Sequence, residues 1–247
     1  MSAAATADRL VEWLRKEVEA AGCRGLVFGL SGGVDSSVVA VLAKRACREE
    51  HLGVIMPIHS NPSDKGDALL LVEQFHLNHQ CVDLSGVFDT FLEALGEGSG
   101  TAEGKRLLPI NNIKPRLRMT TVYYYAARRS YLVAGTGNRS ELTVGYFTKY
   151  GDGGVDLLPL GHLVKHEVRE LAEHLGVPRS IIEKPPSAGM WEGQTDENEL
   201  GFSYSELDRY LVEGAGTEKV SERIEKLRRS NAHKLRIPKM PPPASRT

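Results

Sequence analysis

Gly25-Leu-Val-Phe-Gly-Leu-Ser-Gly-Gly-Val-Asp-Ser-Ser37 is the stretch on which the fold turns. Its first half is a short apolar run, the pattern of a strand buried on both faces. Its second half is a glycine-rich turn. Apolar Val38, Val39, Leu42 and Ala46 follow at helical spacing, so Ser36 to Arg48 reads as a helix. A strand, a tight turn and a helix in that order make an anion site. Adjacent Gly32 and Gly33 let backbone N–H groups converge, the helix adds its positive N-terminal end, and Ser31, Ser36 and Ser37 add hydroxyl donors. Asp35 is out of place in a plain anion site, because it repels phosphate. A divalent cation shared between its carboxylate and phosphate oxygens resolves the conflict, and Mg2+ is the usual one. The turn lacks the Gly-Lys-Ser/Thr ending of a Walker A loop and the GxGxxG spacing of a dinucleotide fold.

Outward from this turn the pattern repeats. Upstream, Leu10, Val11, Leu14, Val18 and Ala21 lie on one side of an amphipathic helix. Downstream, Leu52 to Ile58 reads as a second strand. A helix capped by Ser63 or Asp64 runs to Phe75, and His79 to Leu84 reads as a third strand. The order βαβαβ predicts an α/β fold, a doubly wound, mainly parallel sheet with helices on both faces. Further helices are expected from Pro109 through Arg129, over Leu163–Leu175, from the capping box Ser203-Tyr-Ser-Glu206 through Leu211, and over Val220–Leu235. Tyr131 to Gly135 adds a strand. Gly96–Gly104 reads as a loop, and the proline-rich end, residues 239–247 above all, as a frayed tail. No boundary divides the chain, so residues 1–247 are read as one domain.

The 247 residues, 41% hydrophobic and 26% charged, suit a globular core rather than a disordered chain. Mean hydropathy is -0.27. No run approaches the ~20 apolar residues of a membrane helix, and the start has no secretory-signal pattern. Lys+Arg 31 against Asp+Glu 32 argues against gripping long nucleic acid. Cys23, Cys47 and Cys81 have no metal spacing and fit free thiols in a reducing cytoplasm.

Ser31-Gly-Gly-Val-Asp-Ser36 resembles the pyrophosphate loop of the ATP pyrophosphatase superfamily, whose fold is adenine nucleotide alpha-hydrolase-like and whose members cleave ATP between its α and β phosphates. Within it, several segments resemble NAD synthetases: Asn112-Ile-Lys-Pro-Arg-Leu-Arg-Met119, Gly135-Thr-Gly-Asn-Arg-Ser-Glu-Leu142, Gly145-Tyr-Phe-Thr-Lys-Tyr-Gly-Asp-Gly-Gly154, Lys184-Pro-Pro-Ser-Ala188 with Asp196-Glu197 and Leu200-Gly201, and His233-Lys234. Pro115 stands where the family's usual form has Ala. The resemblance runs from about Gly29 to Pro238. It implies ATP-dependent amidation of deamido-NAD by ammonia through an acyl-adenylate, with AMP and pyrophosphate released, in a homodimer. No length is left for a glutaminase domain, so free ammonia is the expected donor; a separately encoded glutaminase partner stays compatible with this.

The resemblance also implies the site. Gly29, Leu30, Ser31, Gly32, Gly33, Val34, Asp35, Ser36, Thr136, Lys165 and Ser187 would hold ATP, and Asp35 and Glu141 would share Mg2+. Asp35 and Lys165 would be the catalytic pair. Arg116, Lys149, Asp156, His233 and Lys234 would hold deamido-NAD. Taken alone, several of these residues read differently. Lys165 in the first turn of an amphipathic helix reads as a surface lysine, and His233-Lys234 on a charged helix as solvent-facing. Arg116 and Arg118, two apart, cannot share one helix face, so one binds substrate and the other pairs elsewhere; the resemblance favours Arg116. The run Tyr123-Tyr-Tyr125 reads as packing or interface rather than base stacking. Two other readings compete. One is a superfamily synthetase that adenylates xanthylate or a tRNA base, though a tRNA enzyme calls for a basic stretch and paired cysteines. The other is a nucleotide sensor without catalysis, against which Asp35, Glu141 and Lys165 stand.

Overall fold

The structure, a computed structural model, describes residues 2–97, 107–186 and 195–241. Helix α1 (Ala3–Ala20), capped by Ser2, buries Leu10, Leu14 and Val18. Strand β1 (Gly25–Gly29) leads through the glycine turn into α2 (Val34–Cys47). Then come β2 (His51–Ile55), α3 (Pro62–Phe75), β3 (His79–Cys81), α4 (Ser85–Ala94), α5 (Leu107–Asn111), α6 (Ile113–Arg129) and β4 (Tyr131–Val133). The chain ends in helices: α7 (Arg139–Val144), α8 (Lys165–Leu175), α9 (Arg179–Ile182), α10 (Asp196–Leu200), α11 (Tyr204–Glu213) and α12 (Glu218–Asn231).

The four strands are parallel in the order β3-β2-β1-β4. Strand alternation divides the core into two layers. Leu26 and Phe28 of β1 pack with α1, α2 and α8, while Val27 packs with Leu52 and Val54 of β2 against α4 and α6. Each fully buried leucine contributes about 2 kcal/mol, and these layers hold most of them. A third, smaller core joins Val144 of α7 to Leu200, Phe202, Tyr204, Leu207 and Ile224 of the C-terminal helices.

Several boundaries differ from the sequence reading. Asn61, not Ser63 or Asp64, caps α3: its side chain accepts the Ser63 N–H, with Pro62 at the first helical position. The third strand stops at Cys81, because Asp83 Oδ1 accepts the Ser85 N–H and turns the chain into α4. The helix expected from Pro109 breaks at Asn112. Pro115 has no N–H to give the Asn111 carbonyl, so it sits in the first turn of a new helix, where none is needed. The last helix ends at Asn231 and tightens into a 3-10 turn over Ala232–Leu235. Most of the Gly96–Gly104 loop, from residue 98, and the tail from residue 242 lie outside the described residues.

Candidate active site

The turn between β1 and α2 is tied to itself by hydroxyls. The Ser31 N–H donates to Ser36 Oγ at 3.2 Å, while Ser36 Oγ and Ser37 Oγ donate to the Gly33 carbonyl at 2.9 and 2.8 Å. Gly32 has φ +82, and a Cβ there would lie 2.3 Å from the Asp64 carbonyl of α3. Only glycine fits that approach. Of the residues predicted to hold ATP, those from Gly29 to Ser36 except Gly32 line a cavity of about 370 Å3, and Thr136, Glu141 and Lys165 line its other wall. The cleft opens at the carboxyl ends of β1 and β4, where parallel α/β sheets bind ligands.

Lys165 is not a surface lysine: it is 2% exposed. Its ammonium bonds Asp35 Oδ2 and lies 3.6 Å from Glu141 Oε1. Burial acts to lower its pKa, but Asp35 and Glu141 outweigh burial and raise it. Burial and the neighbouring Asp35 charge push the Glu141 carboxyl above the carboxylate range, against the pull of Lys165. Asn138, fully buried, joins the two acids. Its amide donates to Asp35 Oδ1 at 2.9 Å, and its oxygen accepts the Glu141 N–H at 3.0 Å, while Glu141 Oε2 accepts the Asn138 N–H in a capping box. Tyr204 donates to Glu141 Oε1 at 3.3 Å and Asp196 Oδ2 at 3.1 Å. Tyr146 reaches Asp196 and Glu199. Burial and nearby carboxylates hold both phenols above their usual pKa, so they remain donors. With Asp196, three carboxylates face one lysine. Asp35 and Glu141 offer hard oxygen donors under that excess negative charge, which fits Mg2+ completing its shell with phosphate and water oxygens.

The residues predicted for the second substrate gather around the loop 145–154. Lys149 Nζ donates to the His233 carbonyl at 2.9 Å, and Arg116 donates to the Lys149 carbonyl at 3.4 Å. Lys234 is half-buried and donates to the Gly145 and Phe147 carbonyls at 2.6 and 2.8 Å. Asp156 accepts from Tyr123 OH and the Val133 N–H. Lys149, Asp156 and Lys234 line a second cavity that shares Thr136 and Glu141 with the first. The two arginines part as their spacing requires. Arg116 is exposed, whereas Arg118 lines the first cavity, donates to the Met56 carbonyl and Ser60 Oγ, and has its pKa lowered by burial. Tyr123 and Tyr125 pack on the core, and Tyr124 is exposed. Ser187 lies outside the described residues. The sequence reading placed Asn138, Tyr146 and Asp196 in family-like segments and Tyr204 in a capping box, and gave none of them a role in the site. For Asn138 a signal existed: Asn followed three residues later by Glu is a capping box.

The NAD synthase family model matches residues 6–238. The chain belongs to the NAD synthase family. The NH(3)-dependent NAD(+) synthetase of Carboxydothermus hydrogenoformans is 51% identical over 234 residues, 95% of this chain and 96% of that protein. Its counterpart in Syntrophomonas wolfei is 47% identical, over 96% of each. Among solved structures, NMN synthetase from Francisella tularensis superposes with TM-score 0.92 at 36% identity, covering 98% of this chain and 99% of that one. NH3-dependent NAD synthetase from Campylobacter jejuni does so with TM-score 0.79 at 29% identity, covering 97% and 99%. The enzyme is thus a ligase of the family that amidates deamido-NAD with ammonia and ATP. Membership sets aside xanthylate and tRNA bases as acceptors.

Proposed function

We propose that the first cavity binds MgATP and the second the nicotinate end of deamido-NAD, and that the two meet at Glu141 and Thr136. The observation that carries this is the convergence of Asp35, Lys165 and Glu141 opposite the glycine turn. A nicotinate carboxylate is a poor acyl donor, because oxide is a bad leaving group. Its oxygen attacks the α-phosphorus of ATP, pyrophosphate leaves, and the acyl-adenylate forms. Ammonia then adds to the activated carbonyl and AMP departs. The protein orients two anions and offsets their repulsion. The first N–H groups of α2, those of Val34 to Ser36, cradle the phosphates. The Lys165 ammonium turns from Asp35 toward the charge developing on pyrophosphate. Asp35 and Glu141 would hold Mg2+, which supplies charge neutralisation at the phosphates when bound. Lys149, Asp156, Arg116, His233 and Lys234 shape the acceptor site, and Ser187 adds a phosphate contact.

The enzyme takes free ammonia and works in the cytoplasm as a homodimer. Val87 and Phe91 on α4 and Leu95 at its C-terminal cap, four residues apart and exposed, form an apolar stripe suited to a second copy; sedimentation should report twice the chain mass. The Francisella likeness supports a second reading, nicotinate mononucleotide as acceptor. The test is to incubate the protein with MgATP, ammonium and each acceptor in turn. Equal amounts of NAD and AMP from deamido-NAD, with a smaller kcat/KM for the mononucleotide, are expected. AMP formation with the mononucleotide alone would replace the first reading with the second, and absence of AMP with either would end both. Efficient turnover with glutamine in place of ammonium would contradict the assignment of the nitrogen donor.

A further inference from the structure

Helix α8 begins at Lys165, yet its cap position is Val164, which has cap-like backbone angles (φ -79, ψ 166) and no side-chain oxygen. The first N–H groups of a helix need acceptors from elsewhere. Asp208, on α11 and 4% exposed, supplies them. Its Oδ1 accepts the Lys165 N–H at 3.3 Å, and its Oδ2 accepts the His166 N–H at 2.8 Å and contacts His166 Nδ1 at 3.1 Å. Oδ1 also accepts from Ser140 Oγ at 2.6 Å, and Ser140, fully buried, itself accepts the Lys165 N–H at 3.2 Å. Ser140 is the neighbour of Glu141. One turn earlier on the same face of α11, Tyr204 grips Glu141 Oε1.

We infer that Asp208 is a positioning residue for the reaction: from α11 it caps α8, holds α7 through Ser140, and so sets where Lys165 and Glu141 stand. A buried carboxylate is costly unless its oxygens are satisfied. Here all its partners adjoin, or belong to, the two residues that face the triphosphate. The inference rests on the reading of Lys165 and Glu141 given above, and one of its readouts does not depend on turnover.

Asp208→Ala and Asp208→Asn are compared with Leu207→Ala, a truncation on the same helix within the small apolar core of Val144, Phe202 and Ile224. In Asp208→Ala the amides of Lys165 and His166 should exchange hydrogen faster by tenfold or more. Its kcat should fall about 10–100-fold, as displacement of a reacting group does, with KM for ATP changed less than about threefold. Asp208→Asn should lose less, and Val164→Thr placed on Asp208→Ala, which restores a local cap oxygen, should recover part of kcat. Leu207→Ala, assayed at a temperature where it is folded, should keep kcat within about twofold. Unchanged exchange at Lys165 and His166, unchanged kcat in Asp208→Ala, or an equal kcat loss in Leu207→Ala would each overturn the inference. Should Asp208→Ala not fold, Asp208→Asn carries both readouts. A wild-type protein inactive on deamido-NAD would count against the proposed function, and the exchange data would still decide Asp208.

Discussion

The two walls of the cleft are built in opposite ways. The turn from Gly29 to Ser36 is continuous chain, its hydroxyls bonded within the turn and its ends fixed by the strand before and the helix after. The facing wall is collected from α7, α8, α10 and α11, with Glu141, Lys165, Asp196 and Tyr204 held to one another by side-chain bonds. The turn is anchored by the main apolar layers, whereas α7, α10 and α11 pack on their own small core. A cradle of backbone donors is rigid and insensitive to most substitutions. A wall of paired side chains holds charge that can be redirected when a ligand enters, and it fails one residue at a time.

The largest break in that contrast should come where the walls touch. Asp35→Ala removes the carboxylate shared by Asn138 and Lys165 and should lower kcat by about 10^2–10^3, with little change in far-ultraviolet circular dichroism. Next, Gly32→Ala attacks the backbone wall. The positive φ and the Asp64 carbonyl 2.3 Å from the new Cβ should cost about 1–3 kcal/mol and raise KM for ATP, both read from denaturant midpoints and steady-state kinetics. If Gly32→Ala leaves KM unchanged, the backbone wall does not hold the nucleotide.

How much of this could be read beforehand follows the same division. Strand β1, its turn and α2 were legible because sequence neighbours remain neighbours in space. The spacing of Arg116 and Arg118 foretold that they separate. Lys165 misled as an isolated residue because its first-turn position on α8 says nothing of Asp35, 130 residues away and its ion-pair partner. The same blindness covers Tyr204 with Glu141 and Asp208 with Ser140. Local chemistry was also missed where a side chain redirects the backbone, as Asp83 does in opening α4.

Two smaller effects sharpen the comparison. Tyr204→Phe deletes one hydroxyl from the side-chain wall and takes one donor from Glu141 and from Asp196; a loss of about 1–3 kcal/mol and a several-fold drop in kcat are expected. A Tyr204→Phe protein with wild-type kcat would show that this bond does not place Glu141. On the sheet side, His51 is fully buried and accepts the Asn78 N–H at Nε2, so it is held neutral. Burial depresses its pKa below the ordinary value of about 6.5. Its contribution to stability is therefore full above that value and is lost as pH falls below it. Urea midpoints of wild type and His51→Gln should converge between about pH 7 and pH 5; a constant gap would mean that His51 does not titrate differently on folding.

The most direct test is a crystal structure with Mg2+ and a non-hydrolysable ATP analogue. The triphosphate should lie against the turn and the first N–H groups of α2, with the cation held by Asp35 and Glu141 and the Lys165 ammonium moved from Asp35 to a phosphate oxygen. A triphosphate lodged away from this turn, or a Lys165–Asp35 pair unchanged beneath it, would contradict the account.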